Sequence, residues 1–147
     1  MYFITICVKE KHEMLWEYCV GAIINRPNSQ IELSEYGFIV DSAINNISKN
    51  YSDVIVDKYV IMPNHIHMIL ILENTAIEDG RLIIAPTIST VIKQLKRYVS
   101  KQISFSLWQK SFHNHIIRNE QEYQQIGQYI ETNSLKWEFD KYNIISR

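Results

Sequence analysis

Two histidines one residue apart, His65 and His67, open an apolar run that continues through Met68, Ile69, Leu70, Ile71 and Leu72. In a strand, side chains alternate between faces, so both imidazoles project from one face while Ile66 points to the other. At a rise of ~3.3 Å per residue the two rings lie about 7 Å apart, close enough to share one metal ion or one phosphate. A second pair sits near the carboxyl end, where Tyr129 and Asn133 are four residues apart and share a helix face, one turn above the other. A tyrosine hydroxyl can act as a covalent nucleophile, and an amide oxygen can complete the coordination of a divalent cation already held by two imidazoles. Each feature also has a plain packing explanation: histidines satisfied inside a core, and a tyrosine sharing an apolar stripe with Tyr123, Ile126 and Ile130. The combination of the two pairs is what directs attention to chemistry.

Those side chains need a scaffold. Val54 to Ile61 and His65 to Leu72 read as a strand pair separated by Pro63-Asn64, a turn signal that cannot sit inside a ladder. Tyr2 to Val8 is dense in β-branched and aromatic residues and is predicted as the first strand. Ser34, with Glu35 behind it, is placed to cap a first helix whose buried stripe is Tyr36, Val40, Ala43, Ile44, Ile47 and Tyr51. Between them, Trp16 to Ile24 is apolar but too short to type, a small hairpin being one option, and Asn25-Arg26-Pro27-Asn28-Ser29 ends it in a turn. Glu73 to Gly80 reads as a polar loop. Pro86, Thr87 and Ser89 start a second helix with Ile88, Val91, Ile92, Leu95, Val99 and Ile103 as its stripe. Leu107 to Ile117 is predicted as a fourth strand, and Glu120 to Asn133 as a third helix with acids in its first turn. The order β-α-β-β-α-β plus a final helix predicts an α+β, ferredoxin-like antiparallel sheet. Its helices pack on one face, the other face is free for a ligand, and the C-terminal helix carries Tyr129.

Composition limits the partners. The 147 residues, 46% of them hydrophobic, suit one domain over 1–147 with a real core. Cys7 and Cys19 sit in apolar runs without Cys-x-x-Cys spacing, which predicts buried thiols in a reducing compartment. No apolar run is long enough for a membrane span, and the chain reads as cytoplasmic. A formal charge of -1 argues against coating nucleic acid by bulk charge, so any such binding needs a local patch. One exists: from Leu82 to Asn119 there is no Asp or Glu, whereas Lys93, Lys96, Arg97, Lys101, Lys110 and Arg118 all fall there. Lys93, Lys96 and Arg97 lie on the outer face of the second helix with Lys101 one turn on, beside Tyr98, Trp108 and Phe112, aromatics suited to stacking on unpaired bases. A merely solvated helix face explains the same lysines equally well. His113 and His115 also alternate along a strand, which leaves a four-histidine metal site unrelated to DNA as an alternative.

Three ordered segments carry a family resemblance. Met62-Pro63-Asn64-His65-Ile66-His67, then Leu107-Trp108-Gln109-Lys110-Ser111-Phe112-His113-Asn114-His115-Ile116-Ile117-Arg118-Asn119, then Tyr129-Ile130-Glu131-Thr132-Asn133 resemble the single-tyrosine HUH transposases, in particular the REP-associated tyrosine transposase branch. The resemblance runs from Tyr2 to Trp137. It implies a ferredoxin-like palm, a divalent metal, Mg²⁺ or Mn²⁺, on His65, His67 and Asn133, and cleavage of single-stranded hairpin DNA through a 5′-phosphotyrosine on Tyr129. Monomer and homodimer, with the tyrosine acting in cis or in trans, both remain open at this point. Two other functions compete with transposition: a domesticated, non-catalytic single-strand DNA binder on the same fold, and the histidine-rich metal-dependent hydrolase.

Overall fold

A computed structural model of the chain describes residues 1–18, 31–73, 76–78, 81–83 and 88–133. Its central sheet has four antiparallel strands: β1 (Tyr2–Cys7), β4 (Val54–Ile61), β5 (His65–Leu72) and β8 (His113–Ile116), in the order β4-β5-β1-β8. Helices α1 (Glu35–Asn50) and α2 (Ile88–Ile103) join the strands, and α3 (Glu120–Thr132) follows the last one. This is the ferredoxin-like order, with α1 and α2 each bridging strands of the sheet that are not neighbours. Two small antiparallel hairpins are added to it, β2 (Trp16–Tyr18) with β3 (Ile31–Leu33), and β6 (Ala76–Glu78) with β7 (Arg81–Ile83). Among the described residues no helix is long and apolar enough to cross a membrane.

The strand registers fix the two faces. Ile4 pairs with Met68, and Ile6 with Ile66, on the face covered by α1 and α2. These residues share one buried cluster with Val40, Ala43, Ile44 and Ile47 of α1 and with Val91, Ile92, Leu95 and Val99 of α2. α1 starts as its sequence dictates, with Ser34 Oγ accepting from Gly37 N at 3.1 Å. Gly37 also allows the helix to approach the chain before β2, because a Cβ there would stand 2.2 Å from the Leu15 carbonyl oxygen. On the opposite face Thr5 pairs with His67, Phe3 with Ile69, and Cys7 with His65. That face is not free: α3 lies across it, and Ile130 and Ile126 pack with Ile69, Val60, Phe3 and Ile117.

Several expectations shift. Ala76–Glu78, inside the expected polar loop, pairs with Arg81–Ile83 just beyond it, and Asp79-Gly80 between them is a two-residue turn signal in the sequence. The fourth strand is shorter than predicted. Trp108 makes a single bridge to Val8, and pairing resumes only at His113. The break has a physical cause, since Lys96 Nζ draws the carbonyls of Gln109 and Ser111 toward α2 and away from the ladder, at 2.8 and 3.1 Å. The uncertain Trp16–Ile24 stretch forms a hairpin strand as far as Tyr18. Its remainder, the Asn25–Ser29 turn, Cys19, and Pro86 and Thr87 ahead of α2 lie outside the described residues.

Candidate active site

The β4–β5 hairpin presents the histidines. Its connection is Pro63-Asn64, closed by Met62 N donating to His65 O at 2.8 Å. The turn is anchored from outside by Val8 N on the Asn64 carbonyl at 2.9 Å and by Leu15 N on the Pro63 carbonyl at 3.0 Å. Asn64 and His65 are fully buried and His67 is 2% exposed. The imidazole centroids are 4.6 Å apart, nearly perpendicular, so the rings converge more closely than the backbone spacing alone requires.

Buried imidazoles need partners for their inner nitrogens, and each has one. His65 Nδ1 donates to Asn64 Oδ1 at 2.7 Å, while Asn64 Nδ2 donates to the Lys11 carbonyl at 3.2 Å. His67 Nδ1 shares a 2.8 Å hydrogen bond with the hydroxyl of Thr5, the lone polar side chain in the middle of β1. His67 Nε2 faces Tyr129, whose hydroxyl lies 3.5 Å away, beyond strong hydrogen-bond length. Phe3 backs the pair, with its ring 5.2 Å from His67 and edge-on to Tyr129 at 6.4 Å. Tyr129 is 39% exposed, so the residue beside the histidines also borders solvent.

Asn133 ends α3 and is 2% exposed, with its Nδ2 lacking a hydrogen-bond partner among the described residues. Among the described residues no three His, Cys, Asp or Glu side chains gather as a metal site, so the four-histidine cluster does not form. His115 Nε2 instead donates to the Glu122 carboxylate, and His113 is exposed two strands away from His67.

Polar ties that sequence reasoning missed hold α3 in place. Besides His115–Glu122, Lys58 Nζ bonds Glu131 and the Tyr123 hydroxyl donates to Asp57. The register shift between Val56 and Lys58 is a bulge at Asp57, which re-aims that edge so that both neighbours meet α3. The bond to Glu131 raises the Lys58 pKa, and the bond to Asp57 raises that of Tyr123. Such a bulge leaves no mark in the apolar pattern, although the unlike residues Asp57-Lys58 inside a strand were a signal.

The basic residues divide. Lys93, Arg97, Lys101, Lys110 and Arg118 are exposed. Lys96 is committed to the Gln109 and Ser111 carbonyls, and burial lowers its pKa. Arg97 and Lys101 line a groove of about 290 Å³ between α1 and α2, on the far side of the sheet from Tyr129. Trp108 corrects the expectation of a stacking platform, because it is 5% exposed and packed within the main core.

No family model matches the chain. An uncharacterized protein of Haemophilus influenzae Rd is 34% identical over 157 aligned residues, which span 95% of this chain and 83% of that protein. The chain belongs to the family of this Haemophilus protein. Among solved structures, a REP-associated tyrosine transposase bound to a REP hairpin superposes with a TM-score of 0.65 at 18% identity, covering 95% of this chain and 69% of its own. A candidate transposase of Deinococcus radiodurans R1 gives a TM-score of 0.54 at 17% identity over 89% of this chain and 88% of its own. The chain thus has a transposase-like fold, with a four-stranded antiparallel sheet and, among the described residues, three α-helices.

Proposed function

We propose that this protein is a single-tyrosine HUH transposase that cuts and rejoins single-stranded DNA through Tyr129. The observation that carries the reading is the Tyr129 hydroxyl, 3.5 Å from His67 Nε2 on the sheet face that also bears His65. The hairpin-bound transposase of the same fold supports a folded single strand as substrate. In the reaction the Tyr129 oxygen attacks phosphorus, and the bond from phosphorus to the 3′-oxygen breaks as the new bond forms. The products are a 5′-phosphotyrosine and a 3′-hydroxyl, which takes up, in net balance, the proton that Tyr129 gives up. Because one phosphodiester replaces another, attack by a hydroxyl rejoins strands without a nucleotide cofactor.

His65, His67 and, through its amide oxygen, Asn133 are the residues that would hold a divalent cation, magnesium or manganese, whose charge would offset the negative charge that builds on the phosphoryl oxygens. The protein's own part is to orient Tyr129, through Phe3 and the ties along α3, toward the exposed opening beside His67. Lys93, Arg97 and Lys101 lie on α2, under the other face, so DNA held there reaches Tyr129 only around an edge of the sheet. Lys110 and Arg118 flank β8, the edge strand, and mark that route. The 3.5 Å between the Tyr129 hydroxyl and His67 Nε2 of the same chain supports action in cis.

The test is incubation with end-labelled single-stranded hairpin DNA and manganese, followed by denaturing electrophoresis. A protein–DNA adduct is the expected result. DNA binding without an adduct would leave a non-catalytic binder, and absence of DNA binding would overturn the reading altogether.

A further inference from the structure

The histidine pair is asymmetric in its support, and the asymmetry has a chemical consequence. A neutral imidazole carries one N–H and one lone pair, and the partner of one nitrogen decides which the other presents. The Thr5 hydroxyl beside His67 can donate or accept, so it does not choose between the two forms. Asn64 does choose. The Lys11 carbonyl can only accept, so the Asn64 atom 3.2 Å from it must be the NH₂ group, and the atom facing His65 at 2.7 Å must be the amide oxygen. An amide oxygen accepts only, and His65 Nδ1 must therefore carry the proton. Asn64 is fully buried and its backbone carbonyl is bound by Val8 N, so the side chain has little freedom to turn away.

We infer that Asn64 is a positioning residue that locks His65 in its Nδ1–H form, so that His65 presents the Nε2 lone pair to the site shared with His67 and Tyr129. The Lys11–Asn64–His65 relay ties a carbonyl of the turn after β1 to the imidazole, and it explains a buried asparagine in a two-residue turn where a more exposed polar residue would serve the backbone equally well. The metal arm of this inference rests on the proposed function; the tautomer does not.

The decisive measurement is a long-range ¹H–¹⁵N correlation spectrum of the metal-free protein at neutral pH, which distinguishes protonated from unprotonated ring nitrogens. The wild-type spectrum should show His65 with a protonated Nδ1 and an unprotonated Nε2. Asn64→Leu, which removes the acceptor at similar volume, should release His65 toward the Nε2–H form and weaken manganese(II) binding by about 10- to 100-fold in calorimetry. Asn64→Asp keeps an acceptor on His65 Nδ1 while losing the donor to the Lys11 carbonyl, and should keep the Nδ1–H proton in place at a cost in stability. A wild-type His65 protonated on Nε2 would overturn the inference, as would an Asn64→Leu protein that keeps the Nδ1–H form. Should the leucine variant not fold, the wild-type spectrum and the aspartate variant still decide. If wild type shows the Nδ1–H form yet binds no manganese, the positioning role stands and the metal reading fails.

Discussion

The two faces of one sheet are held by different forces. Under α1 and α2, Ile4, Ile6, Ile66, Met68 and Leu70 merge with the stripes of both helices into one continuous apolar cluster, nearly all of it sealed from water. On the other face α3 buries little beyond Ile126 and Ile130 and is held at its margins by His115–Glu122, Tyr123–Asp57 and Lys58–Glu131. Apolar burial contributes roughly 25 cal/mol per Å², whereas partly exposed ion pairs contribute at most about 1 kcal/mol each. Folding stability is thus concentrated on the side away from Tyr129. The side with Tyr129 keeps buried polar groups, a half-open tyrosine and a helix docked by weak ties, as the proposed admission and release of a DNA strand would require.

The sharpest way to break this contrast is to remove one oxygen. Tyr129→Phe should abolish the covalent adduct while changing stability by no more than about 0.5 kcal/mol, since the residue is partly exposed and its 3.5 Å contact with His67 is too long for a strong hydrogen bond. Denaturing gels and urea unfolding check the two halves. A persistent adduct would move the nucleophile to another tyrosine and remove the functional meaning of the α3 face.

Next in size are large-to-small substitutions on either face. Ile44→Ala, in the middle of α1 and fully buried, should cost about 2–5 kcal/mol and lower the whole unfolding transition. Ile130→Ala should cost less, about 2 kcal/mol, because its cluster is small: beside Ile69 and Ile117 its other neighbours, among them Ile126 and Tyr123, are only half-buried. Its distinctive effect is local: amide exchange in α3 should accelerate several-fold more than in α1. Equal acceleration in both helices would mean that α3 is part of the main cooperative unit after all.

The same contrast explains which parts were legible in sequence. Elements with one clean period came through: β1, the β4–β5 pair and the Ser34-capped α1 fall within a residue or so of their expected bounds, because burial on the α1–α2 face imposes the pattern. His65 and His67 were legible from spacing, since a strand's alternation leaves them no other arrangement. What failed depended on tertiary partners. Nothing local says that Lys96 will take two carbonyls and interrupt the fourth strand, or that Trp108 will turn inward instead of offering its ring to a base. Thr5 and Asn64 were visible as polar residues in apolar or turn contexts, but their roles follow only from the imidazole nitrogens they face.

The smallest expected effect is the alkaline response of the two sides, and its sign differs between them. Lys58 and Tyr123 have pKa values raised in the folded protein, chiefly by their hydrogen bonds to Glu131 and Asp57. The folded state therefore holds extra protons above about pH 10, so the stability these ties contribute is complete below that range and lost as pH climbs through the raised values. Lys96, on the α2 side, behaves oppositely: burial lowers its pKa, the unfolded chain binds the proton more readily, and stability rises as pH passes through the lowered value toward the ordinary one. Replacing both carboxylates, Asp57→Asn with Glu131→Gln, should remove the alkaline loss and leave the Lys96 gain. The Tm difference between wild type and this double variant should accordingly shrink between pH 9 and 11, by on the order of 1–2 °C given how exposed the ties are. Lys96→Met should shift the curve in the other direction while leaving α3 exchange unchanged. If the double variant and wild type kept a constant Tm difference across that interval, the polar ties would not be what fastens α3, and the apolar contacts of Ile130 would have to account for its docking alone.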